Sequence, residues 1–455
     1  MKEVRHKAIL GTFFHAPAIG SIEILEDALV GIDGAGRIAS VVRAEDPGRS
    51  VSLDEADAKG CLIRLPRTSF MLPGFVDLHI HAPQYLQLGI ALHVPLEVWL
   101  RTHTFPLEAR YADIAFAEQA YSALIDDLLA LGTTTAVFFA TIHREATKRL
   151  ADFCLQKGIR ALVGKVAMDD PISCPDYYRD ASVGAAIEGT MALVEYVRGH
   201  TENRDGLVLP AITPRFIPSC TDELLEGLGA LTQSSGCHVQ THCSESDWEH
   251  GAAFSRYGRS DAESLDGFGL MTRRTVLAHS NFLSDSDMDL IGRRGAGIAH
   301  CPLSNAYFSN AVFPLRRAIE KGLHVGLGTD ISGGPSASLL ENCRMAIAAS
   351  RMLEDGVDAR LPPEGRGQAD SRIDWKTAFH LATAGGAKAL DLPIGRFEPG
   401  NYFDAIAVDT EVPDGTVRLF DDSLEAVLQK IIYTASKPNI TDVWVAGRRV
   451  AGRAQ

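Results

Sequence analysis

The chain contains no CxxC pair, no apolar stretch approaching a membrane span, no excess of basic residues and no repeat of fixed period. Each absence removes a class of function. The eight cysteines, Cys61, Cys154, Cys174, Cys220, Cys237, Cys243, Cys301 and Cys343, are scattered. Several sit in apolar, strand-like runs, so they read as reduced core thiols rather than as a disulfide framework. With 44 basic against 58 acidic residues the net charge is −14. No basic stripe is there to neutralise a phosphate backbone, which argues against nucleic acid as a partner. The opening MKEVRHKAILGTFFHAPAIG has neither the sustained apolar segment nor the small-residue cleavage signature of a signal peptide. No run is long enough to cross a bilayer. The expectation is a cytoplasmic protein without a membrane partner.

What the chain does have is size: 455 residues, 46% of them hydrophobic, can bury a large core. Length alone would allow two or three domains, or one large α/β barrel. Eight strand-like runs follow one another, FVDLHIH, GTTTAVFFAT, RALVGKVAMD, GLVLPAITPRF, CHVQTHCSE, TVLAHS, GAGIAHCP and HVGLGTD. Most are separated by stretches of helical periodicity, such as Tyr111 to Leu131 and Ala185 to Val197. This alternation predicts a (β/α)8 barrel over residues 68–390. The competing open sheet usually opens with a Gly-rich turn after its first strand, and none follows here. The flanks, 1–67 and 391–455, hold short alternating runs punctuated by Gly and Asp, and these predict strands. Because they bracket the barrel, the expectation is that both ends meet in one small, discontinuous β-sandwich.

Five of the candidate chemical residues fall where these strands finish: His79 and His81 in PGFVDLHIHA, His242 in VQTHCSE, His279 in TVLAHS and Asp330 in HVGLGTD. A barrel places its catalytic groups at such ends. Val76, Leu78 and Ile80 alternate with Asp77, His79 and His81, so both imidazoles are expected on one strand face, within reach of one ion. Neutral imidazoles with a carboxylate suit zinc, which in catalytic sites keeps a position open for water. His79, His81, His242 and Asp330 are the expected ligands, with iron as an alternative metal. Glu245, three residues beyond His242, is a candidate proton shuttle, against the plainer reading that it caps the next helix. Asp330 could instead be a helix cap or turn former, or could both touch the metal and take a proton from the attacking water. His279 could be a core histidine or a ligand, but a role in orienting that water is favoured. Gln84 offers an amide donor and acceptor for a heterocycle edge. Arg215 would present a planar fork to a carbonyl or ring nitrogen, and Phe216 a face to stack on a ring. Taken singly, Arg215 would as readily pair with a carboxylate, and Phe216 fill the core.

The segments PGFVDLHIHAPQY, PLEVWLRTHTFPLE, GTTTAVFF, GKVAMD, ITPRFIPSC, HCSE, AHSNFLS, GIAHCPLSN and GLGTDISGG together resemble the guanine deaminase branch of the amidohydrolase superfamily. The resemblance covers about residues 68–390, and HAPQY and TPRF are its most specific elements. It implies a barrel with an attached β-sandwich, one zinc per subunit and a homodimer. It also implies hydrolytic removal of the amino group at C2 of guanine, giving xanthine and ammonia, with Glu245 protonating the adjacent ring nitrogen. By the same resemblance Gln84, Arg215 and Phe216 contact the purine, and Trp99 and Leu100 line the pocket. Relatives acting on 8-oxoguanine or on pterins such as isoxanthopterin share much of this framework. A triazine-type hydrolase is a weaker alternative, since Gln84 and Arg215 suit a purine's polar edge. A non-catalytic scaffold is weaker still, because all four expected ligands and Glu245 are present.

Overall fold

The computed structural model describes residues 7–309 and 311–452, so the first six residues of the N-terminal flank and the last three of the C-terminal one lie outside the description. Eight parallel strands carry the barrel: β1 (Phe75–His81), β2 (Thr133–Phe139), β3 (Arg160–Gly164), β4 (Val208–Pro214), β5 (His238–Cys243), β6 (Thr275–His279), β7 (Gly297–His300) and β8 (His324–Leu327). They are hydrogen-bonded in sequence order. Just past β8 the ring is joined back to β1. The Asp330 N–H donates to the His79 carbonyl at 2.8 Å, and the His81 N–H donates to the Ile331 carbonyl at 2.9 Å. These strands are buried almost throughout, as a parallel sheet covered by helices requires.

The helices form where apolar periodicity coincides with a start signal. The stretch predicted over Tyr111 to Leu131 becomes a helix at Ile114–Ala130, because Asp113 accepts the free N–H groups of Ala115 and Phe116. Between β5 and β6, where no single element stands out in the sequence, two short helices form, Asp247–Tyr257 and Asp261–Gly267. Each begins at a capping serine, Ser246 or Ser260. At the end of the barrel away from the site, Val76, Leu78, Val137, Leu162 and Val276 fill the interior and pack on Ala387, Ala389 and Leu390 of the helix Gly386–Leu390.

The expected alternation along β1 is interrupted. Val76 and Leu78 belong to the interior cluster, but Ile80 packs in the outer core between strands and helices. The register against β2 shifts between Asp77 and Ile80. Such a bulge re-aims side chains locally and is common beside active sites.

Both ends of the chain share one eight-stranded sheet. In spatial order it runs Arg448–Gly452, Ile440–Val445, Ala405–Asp409, Ser69–Pro73, Lys7–His15, Glu23–Ile32 and Ile38–Val42, with Leu62–Arg64 beside Lys7–His15. Ile9, Phe13 and Val30 from the N-terminal strands enclose a common apolar core with Phe403, Ala405 and Trp444 from the C-terminal ones. Ser69–Pro73 pairs antiparallel with Ala405–Asp409. The passage from this sheet into the barrel therefore falls at Gly74, a few residues later than the expected start of the barrel at residue 68. All eight cysteines are free thiols, seven of them buried.

Candidate active site

Six side chains from four strand ends converge in the mouth of the barrel, and all are almost fully buried: His79, His81, His242, Glu245, His279 and Asp330. His79 and His81 project from the last turn of pleat in β1, their rings 4.9 Å apart. His242 lies on β5, Glu245 just beyond it, His279 is the last residue of β6, and Asp330 follows β8. Ser244, His279 and Asp330 all hold left-handed backbone, with φ of 49°, 66° and 48°. Non-glycine residues rarely adopt it, and each such position costs on the order of 1–3 kcal/mol. The strand ends are therefore turned sharply where the chemical groups must face inward.

The contacts among these groups are those of ligands around one cation. His81 Nε2 faces His242 Nε2 at 3.1 Å. His79 Nε2 lies 3.2 Å and His81 Nε2 3.5 Å from Asp330 Oδ1. Two donor atoms each 2.0–2.1 Å from a tetrahedral zinc would be roughly 3.3 Å apart. His242 donates its Nδ1 proton to the Arg215 carbonyl at 2.6 Å, which leaves its Nε2 lone pair directed into the cluster. His279 donates from Nδ1 to Asn305 Oδ1 at 3.0 Å, with the same result. His79 Nε2 and His279 Nε2 are buried without a hydrogen-bond partner. A buried polar atom left so is costly unless something else meets it. Burial, and then the neighbouring imidazoles and Arg215, push His79, His81 and His242 far below the usual histidine range. They are neutral, as metal ligands must be.

His79, His81 and Asp330 form one group whose donor atoms lie within 4.8 Å of one another. His79, His242 and His279 form a second, and Glu245, His279 and Asp330 a third. The donor set thus fits a divalent metal. His279 belongs to two of the groups, reaching Glu245 Oε1 at 3.6 Å and Asp330 Oδ2 at 3.9 Å. Burial raises the Glu245 carboxyl well above its ordinary value, and the charge of Asp330 raises it further.

The plainer reading of Glu245 as a helix cap does not hold, and Asp330 opens a turn, its carbonyl accepting the Gly334 N–H at 2.7 Å, without capping a helix. Ser246, not Glu245, caps the following helix, accepting from the Glu249 N–H at 3.3 Å. The Asp330 carboxylate faces the imidazoles rather than capping a helix.

Next to this cluster, one cavity is lined by Gln84, Trp99, Leu100, Arg215 and Phe216 together with His81, His242, Glu245 and Asp330. Every residue the sequence singles out for substrate is therefore brought to one place. The Trp99 indole lies 5.0 Å from the Phe308 ring, and Phe216 sits 5.6 Å from Trp248.

Three polar residues that pattern alone does not single out hold this arrangement. Asp77, fully buried, accepts the Thr329 hydroxyl at 2.6 Å and the N–H groups of Thr329 and His79 at 3.0 and 3.2 Å. Burial pushes its carboxyl up to about 7 against those bonds. Asn305 orients His279 and is itself tied to Asn281 at 2.7 Å. Glu108 receives both Arg215 and Gln84. Burial works against the charge of Arg215, but this carboxylate outweighs it and raises the guanidinium's pKa.

The model of the amidohydrolase family matches residues 70–450. The probable guanine deaminase of Schizosaccharomyces pombe is 36% identical, over 97% of this chain and 83% of its own length. The guanine deaminase of Homo sapiens is 36% identical, over 97% of this chain and 95% of its own. Among solved structures, the guanine deaminase of C. acetobutylicum with guanine in its active site superposes with a TM-score of 0.86 at 31% identity, covering 98% of this chain and all of that one.

Proposed function

The chain belongs to the amidohydrolase family, and from that membership we propose that it is a guanine deaminase, hydrolysing guanine to xanthine and ammonia. The observation that carries this reading is the common cavity. A His/Asp donor set, a carboxyl that burial raises well above its ordinary range, and the Gln84–Arg215 edge all open on the same space.

His79, His81, His242 and Asp330 would hold the metal, zinc or iron in its place. When bound, such an ion supplies a Lewis acid and lowers the pKa of its water to about 7. Arg215 and Gln84 hold the polar edge of the purine, and Phe216 and Trp99 offer faces to its ring. Leu96 and Leu100 line the same cavity and leave little room for bulk water. Glu245, whose carboxyl burial holds above the usual carboxylate range, gives a proton to the ring nitrogen beside the amino-bearing carbon. Asp330 accepts the proton of the attacking water. His279, neutral because burial lowers its pKa, turns its free Nε2 toward Glu245 and Asp330 and orients that water. Asp330 then passes its proton to the amino group, the C–N bond breaks with release of ammonia, and the hydroxyl proton returns to Glu245 as the ring regains its carbonyl form.

The same reading carries a homodimer acting on a small purine in the cytoplasm, in purine breakdown. The net charge of −14 fits a small-molecule substrate better than a nucleic acid. Among the described residues, no helix is long and apolar enough to cross a membrane.

Ammonia release from guanine, 8-oxoguanine and isoxanthopterin by the zinc-loaded protein tests the assignment. Guanine should react fastest, and Glu245→Gln should lose about 10²–10⁴-fold in rate while keeping its metal. If guanine is inert while another ring reacts, the substrate assignment fails.

A further inference from the structure

We infer that Glu108 is a positioning residue for substrate, a buried anion that yokes Arg215 to Gln84 and sets the charge of the edge they present. The inference rests on the reading that these two residues face the purine. Gln84 and Arg215 come from different barrel loops, after β1 and after β4. Glu108 lies on the same β1–β2 connection as Gln84, 24 residues further along. It belongs to the short helical turn Phe105–Ala109, is fully buried and does not line the cavity. Its carboxylate nevertheless accepts from Arg215 Nη1 at 2.7 Å, from Arg215 Nη2 at 3.1 Å and from Gln84 Nε2 at 2.8 Å.

Three restrictions follow from these bonds. The fork fixes the guanidinium plane, since a bidentate carboxylate allows little rotation. Phe105, one helical turn before Glu108, backs the same guanidinium at 5.1 Å from its ring centre. The Gln84 amide is fixed too: only its NH2 can face a carboxylate, so its Oε1 faces the Ser332 N–H at 3.2 Å. Finally, the pair has no net charge. A guanidinium at 2% exposure without its anion would be an uncompensated charge beside the cationic site. Paired, it offers hydrogen-bond donors without excess positive charge. That suits a neutral lactam carbonyl edge, such as guanine presents, rather than an anionic ring substituent.

A double-mutant cycle with Glu108→Gln and Arg215→Gln, read in KM and kcat for guanine on the metal-loaded enzyme, tests this. Glu108→Gln should raise KM on the order of tenfold or more while kcat changes by less than about threefold. In the Arg215→Gln background the same change should add less than about twofold, because the residue through which Glu108 acts is gone. Glu108→Asp keeps the charge but withdraws it by one methylene. It should give an intermediate KM, and it carries the test if Glu108→Gln does not fold. An unchanged KM in a folded variant, or losses that simply multiply in the double mutant, overturns the inference while the deaminase reading stands. Guanine left intact by the unmutated enzyme overturns that reading and this inference together.

Discussion

Asp77 touches no part of the cavity, yet it determines where two of the expected ligands lie. One of its oxygens accepts the N–H groups of both His79 and Thr329, and the other accepts the Thr329 hydroxyl. The last strand is thereby fastened to the first, one residue before Asp330. Asp77→Ala would leave those N–H groups buried without an acceptor, at about 1–3 kcal/mol each. The expected outcome is a metal affinity lower by roughly 10–100-fold, measured by competition with a chelator, with Asp77→Asn retaining more of it than Asp77→Ala. The expected metal ligands were readable because each closes an apolar run with a donor atom. Those that hold them in place were not. Asn305 meets His279 from 26 positions away, and Glu108 meets Arg215 from 107. No local periodicity marks a polar residue whose partner is so distant, although Glu108 does stand within the motif TFPLE.

The eight strands were legible for a related reason. A parallel strand buried on both faces is a short apolar run bounded by turn residues, and all eight runs read that way fold as barrel strands. Two features escaped. The helices Asp247–Tyr257 and Asp261–Gly267 carry too few apolar residues for a buried stripe to stand out, the first burying only Glu249 and Ala253, and only their serine caps foretell them. The apolar strand Ser69–Pro73 adjoins β1 so closely that it reads as part of the barrel, but it pairs with strands from both ends of the chain. The close packing of elements is itself testable. A Cβ added at Gly326 on β8 would lie 2.6 Å from Leu78 Cδ1 and 2.7 Å from the Gly386 Cα, at the helix that closes the barrel interior. Backbone cannot give way as a flexible side chain can. Gly326→Ala should cost about 1–3 kcal/mol, read as an earlier midpoint in denaturant.

The barrel and the terminal sheet are joined by a buried ion pair. Arg160, at the start of β3, donates to both carboxylate oxygens of Asp404 at 2.9 and 3.2 Å, and Asp404 also accepts the Ala446 N–H at 2.6 Å. Removing one partner strands the other as a buried charge. Asp404→Ala should therefore destabilise by about 3–5 kcal/mol. Asp404 and Arg160 are remote from the metal cluster in the fold's layout, so guanine turnover by the folded fraction should persist when thermal melting and activity are followed together. The order of strands in that terminal sheet also constrains how the protein is made. Ser69–Pro73 leaves the ribosome early, with every residue destined for burial. Its neighbour Ala405–Asp409 is more than three hundred residues behind it. At about 5–20 residues per second, a nascent chain carries this sticky, half-paired edge for roughly 20–60 seconds. A message truncated before codon 405 would leave it open to pair with other chains.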